Sequence, residues 1–238
     1  MVKRYLITTV NWNPPQTKVW LWHLKNVYRG NDTVSLDVRL LEDTKPVPWS
    51  WSAGKLNCYN LSLLPSLAEY DGHVYMDTDT IITRDFLHTF ETMGREGTVM
   101  AVSFNMAPIR MVQAISKQLA KEFPEYKSLY KHASSGLLCL DTEGNGRWVR
   151  DVYDNWLNWY RNERFLHAFK KHKLADEIAL SMAIVDMKIP VCEVPRETHG
   201  NVLGGRVFGK AEYSDIIHYH NNRRLRKYDL GRFIDMVK

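Results

Sequence analysis

Two carboxylates one residue apart close an apolar run at Val74-Tyr75-Met76-Asp77-Thr78-Asp79. In a strand, residues i and i+2 share a face, so at the strand's end Asp77 and Asp79 can converge on one point. Hard oxygen donors with no cysteine beside them suit Mg2+ or Mn2+. A cation held by one or two carboxylates keeps its other positions for water and phosphates. The chemistry expected of this pair is a divalent cation that holds a diphosphate. A second strand end, Ile216-Ile217-His218-Tyr219-His220, runs into Arg223, Arg224, Arg226 and Lys227. Neutral imidazole is a common metal ligand, and Arg and Lys neutralise phosphate oxygens, Arg by bidentate contact. Asp77, Asp79 and His218 on the metal, with the cations on the diphosphate, form a coherent set. Taken singly, each piece has a plain alternative: a solvated Asp-Thr-Asp turn, a structural histidine, a solvated basic face. The buried strand leading into two acids argues against the first, because buried carboxylates are costly unless paired or metal-bound.

The elements that must position these residues alternate. Strands are expected at Tyr5 to Asn11, Val34 to Leu41, Gly72 to Met76, Thr98 to Ser103, Gly136 to Leu140, Ile189 to Val194 and Ile216 to Tyr219. Helices are expected at Lys18 to Tyr28, Ala53 to Tyr70 with a break near Pro65, Arg84 to Met93, Ile109 to Glu122, Arg147 to Phe165 and Leu174 to Val185. This order predicts an α/β fold with a mostly parallel central sheet flanked by helices. Open sheets of that kind bind ligands outside the carboxyl ends of their strands, where Asp77 and Asp79 stand. No repeat, low-complexity stretch or linker divides the chain, so one domain over residues 1–238 is expected.

Composition narrows the classes. The 238 residues carry a formal charge of +5, with 45% hydrophobic and 25% charged residues. That is ordinary globular composition, and it excludes a disordered, collagenous or coiled-coil chain. Three widely spaced cysteines, Cys58, Cys139 and Cys192, exclude a disulfide scaffold and a thiolate metal site and point to a reducing compartment. No run approaches the roughly 18 apolar residues of a membrane span, and Tyr5 to Val10 is too short for a signal-peptide core. A cytoplasmic location is expected. The charge is uneven: the segment from His218 onward is +4, leaving +1 for the first 217 residues. The positive charge thus marks a local site or surface.

Five pieces in order resemble one family. The stretch Gly54-Lys55-Leu56, Leu67, Tyr70-Asp71, Val74 to Asp79 and Asp85-Phe86 resembles the GT-A glycosyltransferases, and most of all the retaining group that contains glycogenin and the bacterial lipopolysaccharide galactosyltransferases. Ala133-Ser134-Ser135-Gly136-Leu137 resembles that group's Phe-Asn-Ser-Gly-Val strand. Leu174-Ala175-Asp176-Glu177 resembles its Asp-Gln-Asp helix start, and Ile216-Ile217-His218-Tyr219 its Val-Val-His-Phe strand. The resemblance implies a single GT-A, Rossmann-like domain. It implies Asp77, Asp79 and His218 on Mn2+ or Mg2+, with Thr78 and Lys55 at the donor. It also places Thr8, Thr9, Val10 and Asn11 at the nucleotide base, Ser134, Ser135 and Gly136 at the sugar and acceptor pocket, and Asp176 or Glu177 beneath the anomeric carbon. The chain departs from the family in three places. Ser134 stands where the family has Asn, and Glu177 where it has Gln. Arg223, Arg224 or Lys227 replace the usual Lys on the diphosphate.

The implied activity is transfer of a sugar from a nucleotide-diphosphate sugar, UDP first, to a hydroxyl acceptor. The resemblance favours retention. Asp176 is the first candidate for the reacting carboxylate and Glu177 the second. A glycan is the expected acceptor. The basic C-terminal segment could touch an anionic membrane surface, and a modified nucleic-acid base is a further acceptor alternative. Outside this reading stand a nucleotidyltransferase, which lacks its phosphate loop near the first strand, and a binding module with a decayed site. Trp148, Trp156 and Trp159 on one helix read as core. Trp49 and Trp51 in a loop are candidates to stack on a sugar or base. Glu197 to Lys210, rich in glycine, reads as a loop or lid.

Overall fold

The computed structural model describes residues 2–44, 46–47, 49–50, 52–60, 66–203, 206–208 and 214–218. Strand β1 (Lys3–Val10) is followed by helix α1 (Pro14–Val27) and strand β2 (Val34–Leu41). Pro14 and Pro15 open α1 where backbone N–H groups would have no intrahelical partner and a fixed φ suits the helix. Then come a 3-10 turn (Ala53–Cys58), β3 (Gly72–Met76), β4 (Thr80–Ile82), α2 (His88–Glu96), β5 (Met100–Phe104), α3 (Ile109–Glu122), a 3-10 turn (Pro124–Tyr126) and β6 (Ala133–Leu140). The chain continues through α4 (Glu143–Arg161), α5 (Glu163–Phe169), α6 (Ala175–Met187), β7 (Val191–Glu193), β8 (His199–Leu203), β9 (Arg206–Phe208) and β10 (Ile216–His218).

The main sheet has the order β2-β1-β3-β6-β5-β7. β1 pairs parallel with β2 and β3, and β5 parallel with β7, while β6 runs antiparallel to both of its neighbours. Five strands therefore point one way and β6 the other. Alternate residues feed two cores. Leu6, Val10, Tyr75, Val102, Leu138 and Leu140 meet α3, α4, α5 and α6 on one face. Tyr5, Ile7, Val74, Met76, Leu137 and Cys139 meet α1 and α2 on the other. A sheet covered on both faces explains why β3 and β6 are buried at every position.

A second sheet, β4-β10-β8-β9, stands at the end of β3. β4 is only three residues long and follows the Asp77–Asp79 turn directly, so the motif sits between two strands of different sheets. β10 pairs antiparallel with β4, His218 opposite Thr80. That register carries His218 to the acidic turn.

Three expectations are corrected. The segment 53–70 is not one helix: Ala53–Cys58 is a 3-10 turn buried at all six positions, and Leu67–Glu69 is another. Residues buried all round have no solvent face to leave a helical period. The long helix expected at Arg147 to Phe165 is two, divided at Asn162, whose side chain accepts from Phe165 N and caps α5. The glycine-rich loop contains β8 and β9; Gly204, Gly205 and Gly209 lie outside the described residues.

Trp156 ties α4 to the functional end of the sheet. It is fully buried, packs on Tyr59, and donates from Nε1 to the backbone oxygen of Asp176 at 3.1 Å. Trp156→Ala is expected to cost about 3–5 kcal/mol, measured by urea unfolding with an unchanged m-value. A loss below 1 kcal/mol would show that α4 does not anchor the start of α6.

Candidate active site

The site lies where the forward strands end and the reversed β6 begins. β3 ends at Met76, and Asp77 N donates to Gly136 O at 2.9 Å, holding the acidic turn on β6. Thr80 Oγ1 closes the turn on Asp77 O at 2.8 Å, and Thr78 is buried within it. His218 Nε2 is 3.0 Å from Asp79 Oδ1 and 3.8 Å from Asp77 Oδ2. One ligand atom from each of Asp77, Asp79 and His218 lies within 4.8 Å of the other two. Two hard oxygens and an imidazole nitrogen so placed fit Mn2+ or Mg2+.

Gly136 makes the approach possible. A Cβ there would stand 2.2 Å from His218 Cε1, 2.6 Å from its Nδ1 and 3.3 Å from Asp77 Oδ2. The absent side chain is the space in which the imidazole lies. Behind it, His199 stacks on His218 with centroids 5.5 Å apart and planes 17° apart, and Ser103 Oγ holds His199 Nδ1 at 2.7 Å. Tyr75, two residues before Asp77 and on the same strand face, donates its hydroxyl to Asp77 Oδ1.

Lys55 is the centre of a second group. The 3-10 turn at Ala53–Cys58 presents its ammonium, 4% exposed as a residue, between three elements. Nζ lies 2.9 Å from Asp77 Oδ2, 2.8 Å from Ser135 Oγ and 3.4 Å from Asp176 Oδ2. Trp12 and Tyr75 turn ring faces toward it, each at 5.7 Å. Burial alone would lower the Lys55 pKa, but Asp77 and Asp176 outweigh it and the net shift is upward, so the ammonium stays charged. Ser135 Oγ donates to Asp176 Oδ2 at 2.8 Å, which links Lys55, β6 and α6.

Asp176 and Glu177 open α6, where the helix dipole favours negative charge. Glu177 Oε2 is 2.9 Å from His132 Nε2, and His132 Nδ1 is 2.7 Å from the Tyr130 hydroxyl. Glu177 Oε1 accepts from Ser135 N at 3.4 Å. The carboxylate is thus fixed through both oxygens. Reading the motifs did not single out Tyr130, His132, Tyr75, His199 or Ser103. Tyr75 was findable from its i−2 position; the others lie outside every quoted motif.

Of the remaining expected residues, Thr8, Thr9 and Val10 are wholly buried, and Thr8 Oγ1 lies 2.8 Å from His73 Nε2. Asn11 is exposed just past β1, and its Oδ1 accepts from Thr17 Oγ1 at 2.8 Å. Ser134 is buried, and its Oγ accepts from Gly136 N at 3.3 Å. Arg223, Arg224 and Lys227 lie outside the described residues. Trp49 is not free to stack on a ligand from an open loop: it packs on Tyr160 and donates to that residue's backbone oxygen at 3.2 Å.

Charge decides what the arrangement can do. Asp77, Asp79, Asp176 and Glu177 face one lysine and two imidazoles, and all but the half-buried Asp79 are buried. Buried charge must be compensated, and at the Asp77–Asp79 end Lys55 and His218 face the two carboxylates. Burial pushes the Asp77 carboxyl upward against the pull of Lys55, with Asp79 adding to the rise. At His218 burial works downward, but the Asp79 and Asp77 charges prevail and the pKa is raised. A divalent cation would relieve both.

No family model matches this sequence, and no curated protein does. Solved structures do match. Mouse xyloside xylosyltransferase 1 in its apo form superposes with a TM-score of 0.60 at 12% identity, over 93% of this chain and 99% of that one. The galactosyltransferase LgtC, in complex with donor and acceptor sugar analogs, gives 0.60 at 10% identity over 98% and 94%. A glycosyltransferase involved in glycosylation of the major capsid of PBCV-1 gives 0.57 at 8% identity over 96% and 98%. The chain has the GT-A glycosyltransferase fold and resembles LgtC in it.

Gly136→Ala is expected to weaken Mn2+ binding at least about tenfold while costing about 1–3 kcal/mol of stability, read by calorimetric titration and urea unfolding. Unchanged Mn2+ affinity would remove His218 from the ligand set. The raised His218 pKa also sets a pH dependence. In the metal-free chain its pairing with Asp79 contributes stability that is complete below about 6.5. That contribution is lost as pH rises through the raised value. Metal needs the neutral imidazole, so Mn2+ affinity is expected to rise with pH over this window, with protons released. Titrations in two buffers of different ionisation enthalpy measure the release, which His218→Gln should reduce.

Proposed function

We propose that residues 1–238 form one metal-dependent glycosyltransferase domain. It moves a sugar from a nucleotide-diphosphate sugar, a UDP-sugar first, to a hydroxyl on a glycan, with retention at the anomeric carbon. One observation carries the reading: the Asp77–Asp79–His218 donor set lies directly beside the Lys55–Ser135–Asp176–Glu177 network at the carboxyl ends of the forward strands. The first group suits a metal on a diphosphate, and the second suits the sugar attached to it. The fold shared with LgtC and the xylosyltransferase supports the same chemistry.

Bound Mn2+ or Mg2+ would stabilise the negative charge that develops on the departing diphosphate. Lys55, held by Asp77 and Asp176, presents a second positive charge to the same group and to the sugar. Asp176 and Glu177 form the floor under the anomeric carbon. Asp176 is fixed by Ser135 and Lys55, and Glu177 by His132, so both carboxylates are positioned before substrate arrives. They offset oxocarbenium charge on the sugar. Retention then follows one of two routes: one carboxylate attacks the anomeric carbon as the diphosphate departs and the acceptor hydroxyl displaces that carboxylate in a second step, its proton passing to the released phosphate, or the acceptor attacks on the same face as the diphosphate departs and the leaving phosphate takes its proton. His132 and Tyr130 are positioning residues for Glu177.

A thermal-shift panel of nucleotide diphosphates and their sugars, each with and without Mn2+, tests this. A ligand at 100 times its Kd stabilises by about 2.7 kcal/mol. A Mn2+-dependent shift with one base, absent in Asp79→Ala, is expected, together with slow donor hydrolysis that Asp176→Asn abolishes. Shifts that ignore Mn2+ and survive Asp79→Ala would leave a binding module with no transferase chemistry.

A further inference from the structure

Among the described residues four strands lie at sheet edges, and three of them, β4, β7 and β9, are only three residues long. The fourth, β2, has eight residues and pairs with β1 along its whole length with no shift of register. Long edges are ordinarily blunted by a Lys, a Pro or a bulge, because their unpaired backbone is a template for another strand. Val34–Leu41 has none of these.

The backbone of β2 is open at alternate residues. Lys3 N donates to Thr33 O and Asn11 N to Leu41 O, each at 2.9 Å. In a parallel ladder a residue bonded to one neighbour turns both its N–H and its C=O that way. The odd-numbered residues of β2 therefore face β1. Val34, Leu36, Val38 and Leu40 direct their backbone groups to the other side, where no described strand lies.

Side chains identify the partner. Asp37 and Arg39 share one face of β2, 2.9 Å apart in their ion pair, and Tyr70 donates to Asp37 Oδ2 at 2.6 Å. Leu36, Val38 and Leu40 share the other face. Leu36 and Val38 pack against the α1–α2 core, while Leu40 is 41% exposed. A second β2 laid antiparallel about Val38 sets Val38 opposite itself in a pair that exchanges both backbone bonds. Leu36 then meets the second copy's Leu40, and Asp37 meets its Arg39, each twice by symmetry. The charged pair falls between the backbone bonds, where opposed side chains stand closest. Moving the axis one residue either way sets Asp37 against Asp37 or Arg39 against Arg39. One register thus matches the charges, covers Leu40 and pairs the open backbone. β2 is complementary to its own sequence, as a two-fold interface requires.

We infer that this protein forms a symmetric dimer in which β2 pairs antiparallel with β2 of a second copy about Val38, joining the two six-stranded sheets into one. The forward strands of the two copies then run in opposite directions, so their Asp77–Asp79 turns face opposite ends of the joined sheet. The dimer does not depend on the transferase reading.

Sedimentation equilibrium of the full chain at micromolar concentration tests it, with the mass of two chains expected. Leu40 is already exposed, so Leu40→Lys should leave urea unfolding unaltered while weakening the dimer at least about tenfold. Val38→Pro removes the central N–H donor, a change that edge strands tolerate, and should leave only monomer. Asp37→Arg and Arg39→Asp should each be monomeric, because each sets like charges opposite one another. An equimolar mixture of those two variants should recover a dimer, since each supplies the charge that the other lacks. A role for the Asp37–Arg39 pair within one chain alone would give no such recovery. A monomeric wild type, a dimer undiminished in Leu40→Lys and Val38→Pro, or a mixture of the two folded charge variants that stays monomeric would overturn it.

Discussion

The ammonium of Lys55 is the charge on which the site is organised. It touches β3 through Asp77, β6 through Ser135 and α6 through Asp176. Three carboxylates buried within one cluster would be prohibitive without compensation. The chain solves this by placing a lysine on a short buried turn and fixing its position by hydrogen bonds. Glu177 receives its own partner in His132. Asp79 pairs with His218, and the two with Asp77 form a set that could hold a metal ion. The geometry is thus a graded one, with a fixed lysine among the buried carboxylates at one end and three side chains that could hold a divalent cation at the other.

Much of this was legible locally. Val34–Leu41 and Gly72–Met76 alternate or stay apolar over strand lengths, and Ile109–Glu122 has helical spacing between Pro108 and Pro124; each matches its expected bounds. The Asp-Thr-Asp turn and the His218 strand end are also local, and the structure brings them together. Other features were not legible because no local pattern encodes them. β4 is three residues long and hidden behind the motif. The Ala53–Cys58 turn shows no period because every position is buried. His132 reaches Glu177 across 45 residues of sequence, and only strand pairing and helix packing bring the two together.

The direction of β6 is the clearest instance of information held in the topology. Its pattern, Ala133 to Leu140, is equally compatible with either direction. Only the reversed strand puts its beginning, with Ser134, Ser135 and Gly136, where β3 and β5 end. Had it run parallel, those three residues would lie at the opposite edge, and Lys55 would lose the serine that connects it to Asp176. Gly136 then acquires two demands at once. Its carbonyl must take the Asp77 N–H, and its α-carbon must leave space for the His218 ring. A residue with any side chain can meet the first demand but not the second. The glycine is therefore a consequence of an antiparallel strand passing between an acidic turn that follows β3 and an imidazole on a strand of the second sheet.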